Sequence, residues 1–168
     1  RPECPEEFPE IYGLIKTAFE TAKVSDGDEQ DFADGLRQGH GYIPELALVA
    51  EDGNGSLIGH IMMTKTSVRR PDGSYYEGLL VAPLSVLAQW RDKGVGSALM
   101  LEAFRRARAM GWMAAFLCGD PAYYHRFGFR SVTDFGISML RDVPPQFVMA
   151  AELEPGALEG ITGTIDFC

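Results

Sequence analysis

Residues 89–100 read QWRDKGVGSALM. Gly94 and Gly96 stand one residue apart, after a charged run and ahead of a string of helix formers. Three arrangements use such a pattern: a phosphate cradle, a plain tight turn, or part of a dinucleotide-binding fingerprint. Glycine permits positive φ and lets a ligand approach the backbone without a Cβ in the way. At the start of a helix the first N–H groups have no intrahelical partner and the macrodipole is positive, which favours an anion. The dinucleotide fingerprint requires a third glycine where Leu99 stands and an acid about twenty residues further on. The P-loop requires a Gly-Lys-Ser/Thr ending, which is missing. Neither fits. On its own, the glycine pair suits a helix-initiating turn at least as well as a phosphate cradle.

The flanking sequence predicts a strand, a helix and a second strand. EGLLVAPLSVL (77–87) reads as a buried strand interrupted by Pro83, which has no N–H for a ladder and so signals an edge or bulge. After Gly94, Leu99, Met100, Ala103, Phe104, Ala107 and Met110 share one helical face, Glu102, Arg105 and Arg108 point elsewhere, and Gly111 ends the helix. WMAAFLC (112–118) follows as a strand. In DPAYYHRFGF (120–129), Asp120 as N-cap and Pro121 at the first helical position start a short helix. Upstream, residues 4–22 show helical periodicity, and SDGDEQDFADGLRQG (25–39) reads as a short polar helix stopping near Gly39. Residues 45–68 read as two strands joined by the turn EDGNGS, and RRPDGSYY (69–76) is another reversal. The remainder supplies two further strands, including FVMAAEL (147–153), and a loose tail. The fold class is therefore mixed α/β (α+β), with helices on both faces of a sheet.

A chain of 168 residues fits one domain, a core over 1–153 and a tail over 154–168. Its 46% hydrophobic and 23% charged content excludes a disordered chain. The longest apolar run, residues 78–88, is too short to cross a bilayer. The first twelve residues contain neither a basic leader nor an apolar segment, so no secretory signal is expected, and the lack of an initiator Met suggests residues upstream. Cys4, Cys118 and Cys168 are odd in number and scattered, which suits a reducing cytoplasm. The net charge of −9 argues against general nucleic-acid binding. Arg91, Lys93, Arg105, Arg106 and Arg108, against Asp92 and Glu102, nevertheless form a basic sector suited to a small anionic ligand.

VAPLSVLAQWRDKGVGSALM (81–100) followed by GDPAYYHRFGF (119–129) resembles the GNAT superfamily of N-acetyltransferases, especially its small YhbS-like bacterial members. The family's Gln/Arg-x-x-Gly-x-Gly/Ala motif is matched by Arg91, Gly94 and Gly96. Its aromatic-Tyr-x-x-x-Gly-Phe motif is matched by Tyr123, Tyr124, Gly128 and Phe129. The resemblance extends more loosely from residue 1 to about 153. It implies a mostly antiparallel twisted sheet, splayed between its fourth and fifth strands. It also implies acetyl-CoA as cosubstrate, with Leu84, Ser85 and Val86 beside the pantetheine arm and Arg91, Asp92, Lys93, Gly94, Val95, Gly96 and Ser97 around the pyrophosphate. Tyr124 would touch the coenzyme and act as general acid, and the Val86 N–H would polarise the thioester carbonyl. The activity implied is direct acetyl transfer to a primary amine, small molecule or peptide, by a cytoplasmic monomer or homodimer with no metal, nucleic-acid or membrane partner. The alternative is an acyl-CoA-binding module with little or no turnover.

Residue chemistry supports the acid and leaves the base open. A tyrosine with a pKa of ~10 stays protonated at neutral pH and can protonate a departing thiolate of pKa ~8.5. Its bland reading is a packing aromatic. Glu51, Glu77 and His60 are possible bases, but each also reads as an ordinary strand or turn residue, and His125 reads as a solvated helix residue. Cys118 ends a strand near Tyr124 and raises the option of an acyl-enzyme, yet it lacks a His or Asp partner pattern. The Arg105–Arg108 group reads as a solvated helix face, and Lys93 or Arg126 as a candidate for a coenzyme phosphate. The histidines show no metal-ligand spacing. Nothing in residues 21–35, or in the tail from Arg141, specifies the amine.

Overall fold

The computed structural model describes residues 1–23 and 25–167. Val24, within the segment 21–35, and Cys168 lie outside the described residues. In chain order the elements are α1 (Phe8–Phe19), α2 (Glu29–Gln38), β1 (Tyr42–Glu51), β2 (Leu57–Arg69), β3 (Tyr75–Val86), α3 (Val95–Ala109), β4 (Ala114–Cys118), α4 (Pro121–Tyr124), β5 (Arg130–Ser131), β6 (Ile137–Met139), β7 (Val148–Glu152) and β8 (Gly163–Ile165). The strands form one sheet in the order β5-β7-β4-β3-β2-β8-β6, with β1 paired to β2. Ladders β1–β2, β2–β8, β4–β7 and β5–β7 run antiparallel, whereas β3–β4 and β6–β8 run parallel. This is the mixed α/β fold read from the sequence, with the mostly antiparallel sheet that the family resemblance implies.

Residues 1–3 add an extended piece that the sequence does not announce. Pro2 bridges Leu48 in antiparallel fashion, Glu3 N donates to Ala47 O at 2.9 Å, and Val49 N donates to Arg1 O at 2.8 Å. If this piece is counted as a strand, β3 and β4 become the fourth and fifth strands. Their parallel ladder joins Leu79 to Ala115 and Leu80 to Phe116, while β3 itself runs on to Val86.

The chain divides into two compact units, Arg1–Thr64 with Val81–Arg106, and Lys65–Leu80 with Ala107 onward. In the first, one face of α1 places Ile11, Leu14 and Ile15 against Ala33 of α2, Ala47 and Val49 of β1, and Met62 of β2. The periodicity read in residues 4–22 therefore marks a real buried face. In the second unit, β4 is buried over Ala114–Leu117, and Phe116 is fully enclosed among Val68, Val148, Ala150 and Ile137.

Three expectations need correction. Among the described residues, four short strands, not two, follow α4. The expected loose tail is built into the second core, because Leu158, Ile161 and Ile165 are buried and β8 lies between β2 and β6. Met110, assigned to the buried face of α3, is 47% exposed, because the helix ends at Ala109 and Met110 already lies in the turn beyond it.

Candidate active site

In the first unit, the end of β3 leads into the glycine loop through one tight turn. The peptide Ala82–Pro83 is cis. Burial alternates from there: Pro83 and Ser85 are buried, while Ala82, Leu84 and Val86 are half-buried. Leu87 N donates to Ile58 O at 3.0 Å, tying the strand end to β2, and a 3₁₀ turn follows over Ala88–Trp90. Asp92 then takes φ 58° and Gly94 φ 85°. The left-handed region is unfavourable for a residue with a Cβ, so glycine suits position 94, while Asp is among the few side chains that tolerate position 92. Gly94 O accepts from Ala98 N at 3.0 Å, so the N–H groups of Val95, Gly96 and Ser97 lie ahead of the helical ladder. Gly96 is buried and lies within α3. Of the two glycines, then, only Gly94 answers to backbone conformation.

The start of α3 sits very close to β2. A Cβ on Gly59 would lie 3.0 Å from both Leu99 Cδ1 and Val95 Cγ1, and 3.2 Å from Ser85 O. Gly59 thus makes room for the first turns of the helix. Sequence reading passed over it, although an isolated glycine inside a strand is a known sign of close approach.

The basic sector is largely consumed within the protein. The Arg91 guanidinium reaches back to α1, where Nη2 donates to Ala18 O at 2.5 Å and Nη1 to Thr21 Oγ1 at 2.9 Å. Its own N–H donates to Ala88 O at 3.2 Å. Arg105 and Arg106 pair with Glu102 at 2.7 and 2.9 Å, and their hydrogen bonds hold its carboxyl down to about 2. Arg108 Nε donates to Leu153 O at 2.7 Å. Lys93 is exposed, with Nζ 5.3 Å from the centre of the Trp90 ring.

Tyr124 belongs to the second unit. Asp120 caps α4 as expected, its Oδ1 accepting from Ala122 N at 3.0 Å, and Pro121 occupies the first turn. The Tyr124 ring meets Tyr123 and Phe129 edge-on, at 5.0 and 5.9 Å between centres. A Cβ on Gly119 would lie 2.5 Å from Tyr124 Cε2, so that glycine clears the space the ring occupies. Burial pushes the Tyr124 phenol above its ordinary range, and Tyr123 and Asp120 add to the shift. The group is therefore a protonated phenol at neutral pH. Arg126 is engaged locally: Nε donates to Tyr123 O at 2.9 Å and the guanidinium lies 4.5 Å over the Tyr123 ring.

The first unit thus carries a left-handed turn ahead of the start of α3, and the second carries a protonated tyrosine on a capped short helix. The sequence model described as "Acetyltransferase (GNAT) domain" matches residues 1–132. The chain belongs to the GNAT acetyltransferase family. It is 29% identical over 167 residues to the uncharacterized N-acetyltransferase YhbS of Escherichia coli K12, covering 99% of this chain and 94% of that one. It also resembles E. coli K12 YjhQ, with 31% identity over 110 residues, or 66% of this chain and 60% of the other. Among solved structures, E. coli YhbS in complex with CoA superposes with a TM-score of 0.87 at 27% identity, covering 100% of this chain and 88% of the other. A GNAT family acetyltransferase from Brucella melitensis in complex with acetyl-CoA gives 0.78 at 25% identity, covering 100% and 94%.

Within this GNAT acyltransferase, the other side chains considered from sequence are mostly engaged. His60 is fully buried, its Nε2 2.8 Å from Glu3 Oε2, which makes it a structural histidine. Glu51 is ion-paired to Arg1, and Glu77 is exposed on β3. His125 Nδ1 lies 2.9 Å from Phe129 O. Cys118 is exposed at the end of β4. Among the described residues, no group of three His, Cys, Asp or Glu is placed to hold a metal ion, and no helix is long and apolar enough to cross a membrane. The cluster of Glu3, Arg37, Tyr42 and His60 escapes sequence reading altogether, since its members are scattered over the first sixty residues.

Proposed function

We propose that the protein is an acetyl-CoA-dependent N-acetyltransferase that moves the acetyl group to a primary amine by direct transfer in a ternary complex. The observation that carries this reading is the left-handed turn at Asp92 and Gly94, which opens onto the unladdered N–H groups of Val95, Gly96 and Ser97. Main-chain donors of residues 92–97, at the positive end of a fifteen-residue helix, suit a pyrophosphate, with Lys93 as the nearby exposed cation. The complexes of YhbS with CoA and of the Brucella protein with acetyl-CoA support the same ligand here. The main chain of Leu84, Ser85 and Val86 would run beside the pantetheine arm. The Val86 N–H would polarise the thioester carbonyl where negative charge develops.

Tyr124 would give its proton to the departing thiolate. Its raised pKa keeps the phenol loaded, and the desolvation that disfavours a phenolate also disfavours a bare thiolate, which increases the demand for that proton. The attacking amine must be neutral. With Glu51 and His60 engaged elsewhere, its proton would leave through ordered water.

The test is calorimetric titration with acetyl-CoA, followed by a thiol-release assay over a panel of small amines and peptide N-termini. Binding together with amine-dependent thiol release supports the enzyme. Binding without release from any acceptor leaves a coenzyme-binding module, and failure to bind overturns the reading of the loop.

A further inference from the structure

The side chain of Arg91 faces away from the loop to which its backbone belongs. Helix α1 has no glycine at its C-terminal end. Its C-cap, Glu20, stays in the right-handed region, and its N–H is shared between Lys16 O at 3.2 Å and Thr17 O at 3.3 Å. Ala22 N turns to Phe19 O at 3.2 Å, so the ladder does not continue onto Ala18 O. Arg91 fills that place with a charge-assisted bond to Ala18 O, and its other arm holds Thr21 Oγ1, past the end of the helix. A cation at a helix C-terminus also meets the negative end of the macrodipole. The segment that follows walls a cavity of about 420 Å³, lined by Lys16, Phe19, Glu20, Lys23, Asp26 and Gln30 among others. One residue thus has its main chain at the start of the Asp92–Gly94 turn and its fork on the wall-forming end of α1.

Granted coenzyme binding at this loop, as proposed above, we propose that Arg91 is a positioning residue that couples occupation of residues 92–97 to the order of the C-terminal end of α1 and the segment beyond it. Fixing the turn fixes the Arg91 Cα, and with it the forked cap on Ala18 and Thr21. By linkage, a ligand that orders the α1 end strengthens coenzyme binding by the same factor.

The test is hydrogen–deuterium exchange on the full chain, with and without saturating coenzyme A. In the parent, coenzyme A should slow exchange in peptides covering 90–98 and also in those covering 17–23. In Arg91→Ala the first effect should persist at saturation while the second vanishes, a change of about tenfold in the coenzyme-dependent slowing, the size a charge-assisted hydrogen bond supports. A merely structural cap would loosen 17–23 equally with and without ligand, so the coenzyme-dependent difference is the decisive readout. Thr21→Val, which leaves the loop untouched, should lose part of that difference and covers the case in which Arg91→Ala fails to fold. Arg91→Lys, which keeps the charge but not the fork, should restore part of it. Unchanged slowing of 17–23 in both Arg91→Ala and Thr21→Val, or none in a parent whose 90–98 peptides respond, overturns the coupling. A parent that shows no response at 90–98 and no binding heat overturns the coenzyme reading itself, and the coupling with it.

Discussion

Arg37→Met should be among the most damaging single substitutions in the first unit. The side chains of Arg37 and Glu3 are 5% and 0% exposed. Arg37 Nε and Nη2 donate to Glu3 Oε1 and Oε2 at 2.8 Å each, Tyr42 OH donates to Oε1 at 2.8 Å, and His60 Nε2 lies 2.8 Å from Oε2. Burial alone would raise the Glu3 carboxyl, but the hydrogen bonds from Arg37 and His60 outweigh it and hold the group at about 2, below its ordinary 4.5. At about 1.4 kcal/mol per pH unit, that gap is worth about 3 kcal/mol of folding stability. Removing Arg37 leaves a buried carboxylate without its charged partner, a change that typically costs about 3–5 kcal/mol. Urea unfolding at pH 8 should show that loss for Arg37→Met. The double variant Glu3→Gln/Arg37→Met, with no buried charge left to strand, should recover most of it.

The acid limb carries a definite sign. Between about 4.5 and about 2 the unfolded Glu3 binds a proton that the folded one refuses, so its contribution is full above that window and lost as the pH falls through it. Burial lowers the pKa of His60, so its unfolded form is also protonated first, and stability declines on acidification below about 6.5. Glu3→Gln should flatten the lower part of this curve and, by removing the partner that opposes the effect of burial on His60, deepen the decline below about 6.5. A loss under about 1 kcal/mol for Arg37→Met, a double variant no better than the single, or an unchanged acid limb in Glu3→Gln would refute the reasoning.

Gly96→Val should lower acetyl-CoA affinity by about one to two decades, the scale of a lost charge-assisted contact, in a protein whose circular dichroism is unchanged; calorimetry decides, and parent-like affinity counts against the loop. Tyr124→Phe should cut turnover by about 100-fold or more with little change in coenzyme affinity, while Tyr123→Phe should be much milder; equal effects in steady-state kinetics would remove Tyr124 from the acid role. Gly119→Ala puts a methyl 2.5 Å from Tyr124 Cε2 and should lower kcat while leaving acetyl-CoA affinity intact, so a parent-like kcat would mean that ring placement is not critical.

What sequence reading captured was local in the chain. The glycine loop, the Asp120–Pro121 helix start and the apolar face of α1 are each set within a few residues, where periodicity and capping chemistry operate. What it missed depends on pairing across long separations. Residues 1–3 become a strand-like piece only because β1 offers Ala47–Val49, and the tail is ordered only because β8 finds Arg69 and Ile137–Met139. The four-residue network at Glu3 is invisible for the same reason: His60 reads from sequence as an ordinary strand residue, whereas its buried ring pairs Nε2 with Glu3 and leaves Nδ1 without a hydrogen-bond partner among the described residues. The steric roles of Gly59 and Gly119 require knowing which atoms stand opposite them.

The basic sector shows how a correct count can mislead about mechanism. Five cations against two acids between residues 91 and 108 suggest an anion held by side chains. In the structure Arg91 caps α1, Arg105 and Arg106 pair with Glu102, and Arg108 bonds a carbonyl. Positive potential at the start of α3 therefore comes chiefly from aligned N–H groups, equivalent to roughly half a charge, with exposed Lys93 beside them. Main-chain donors are fixed in direction and fall away within a turn, so they select for the shape of an anion held close rather than for charge at a distance. That arrangement is compatible with a chain of net charge −9: short-range recognition by the backbone does not need the long-range attraction that an acidic surface would cancel.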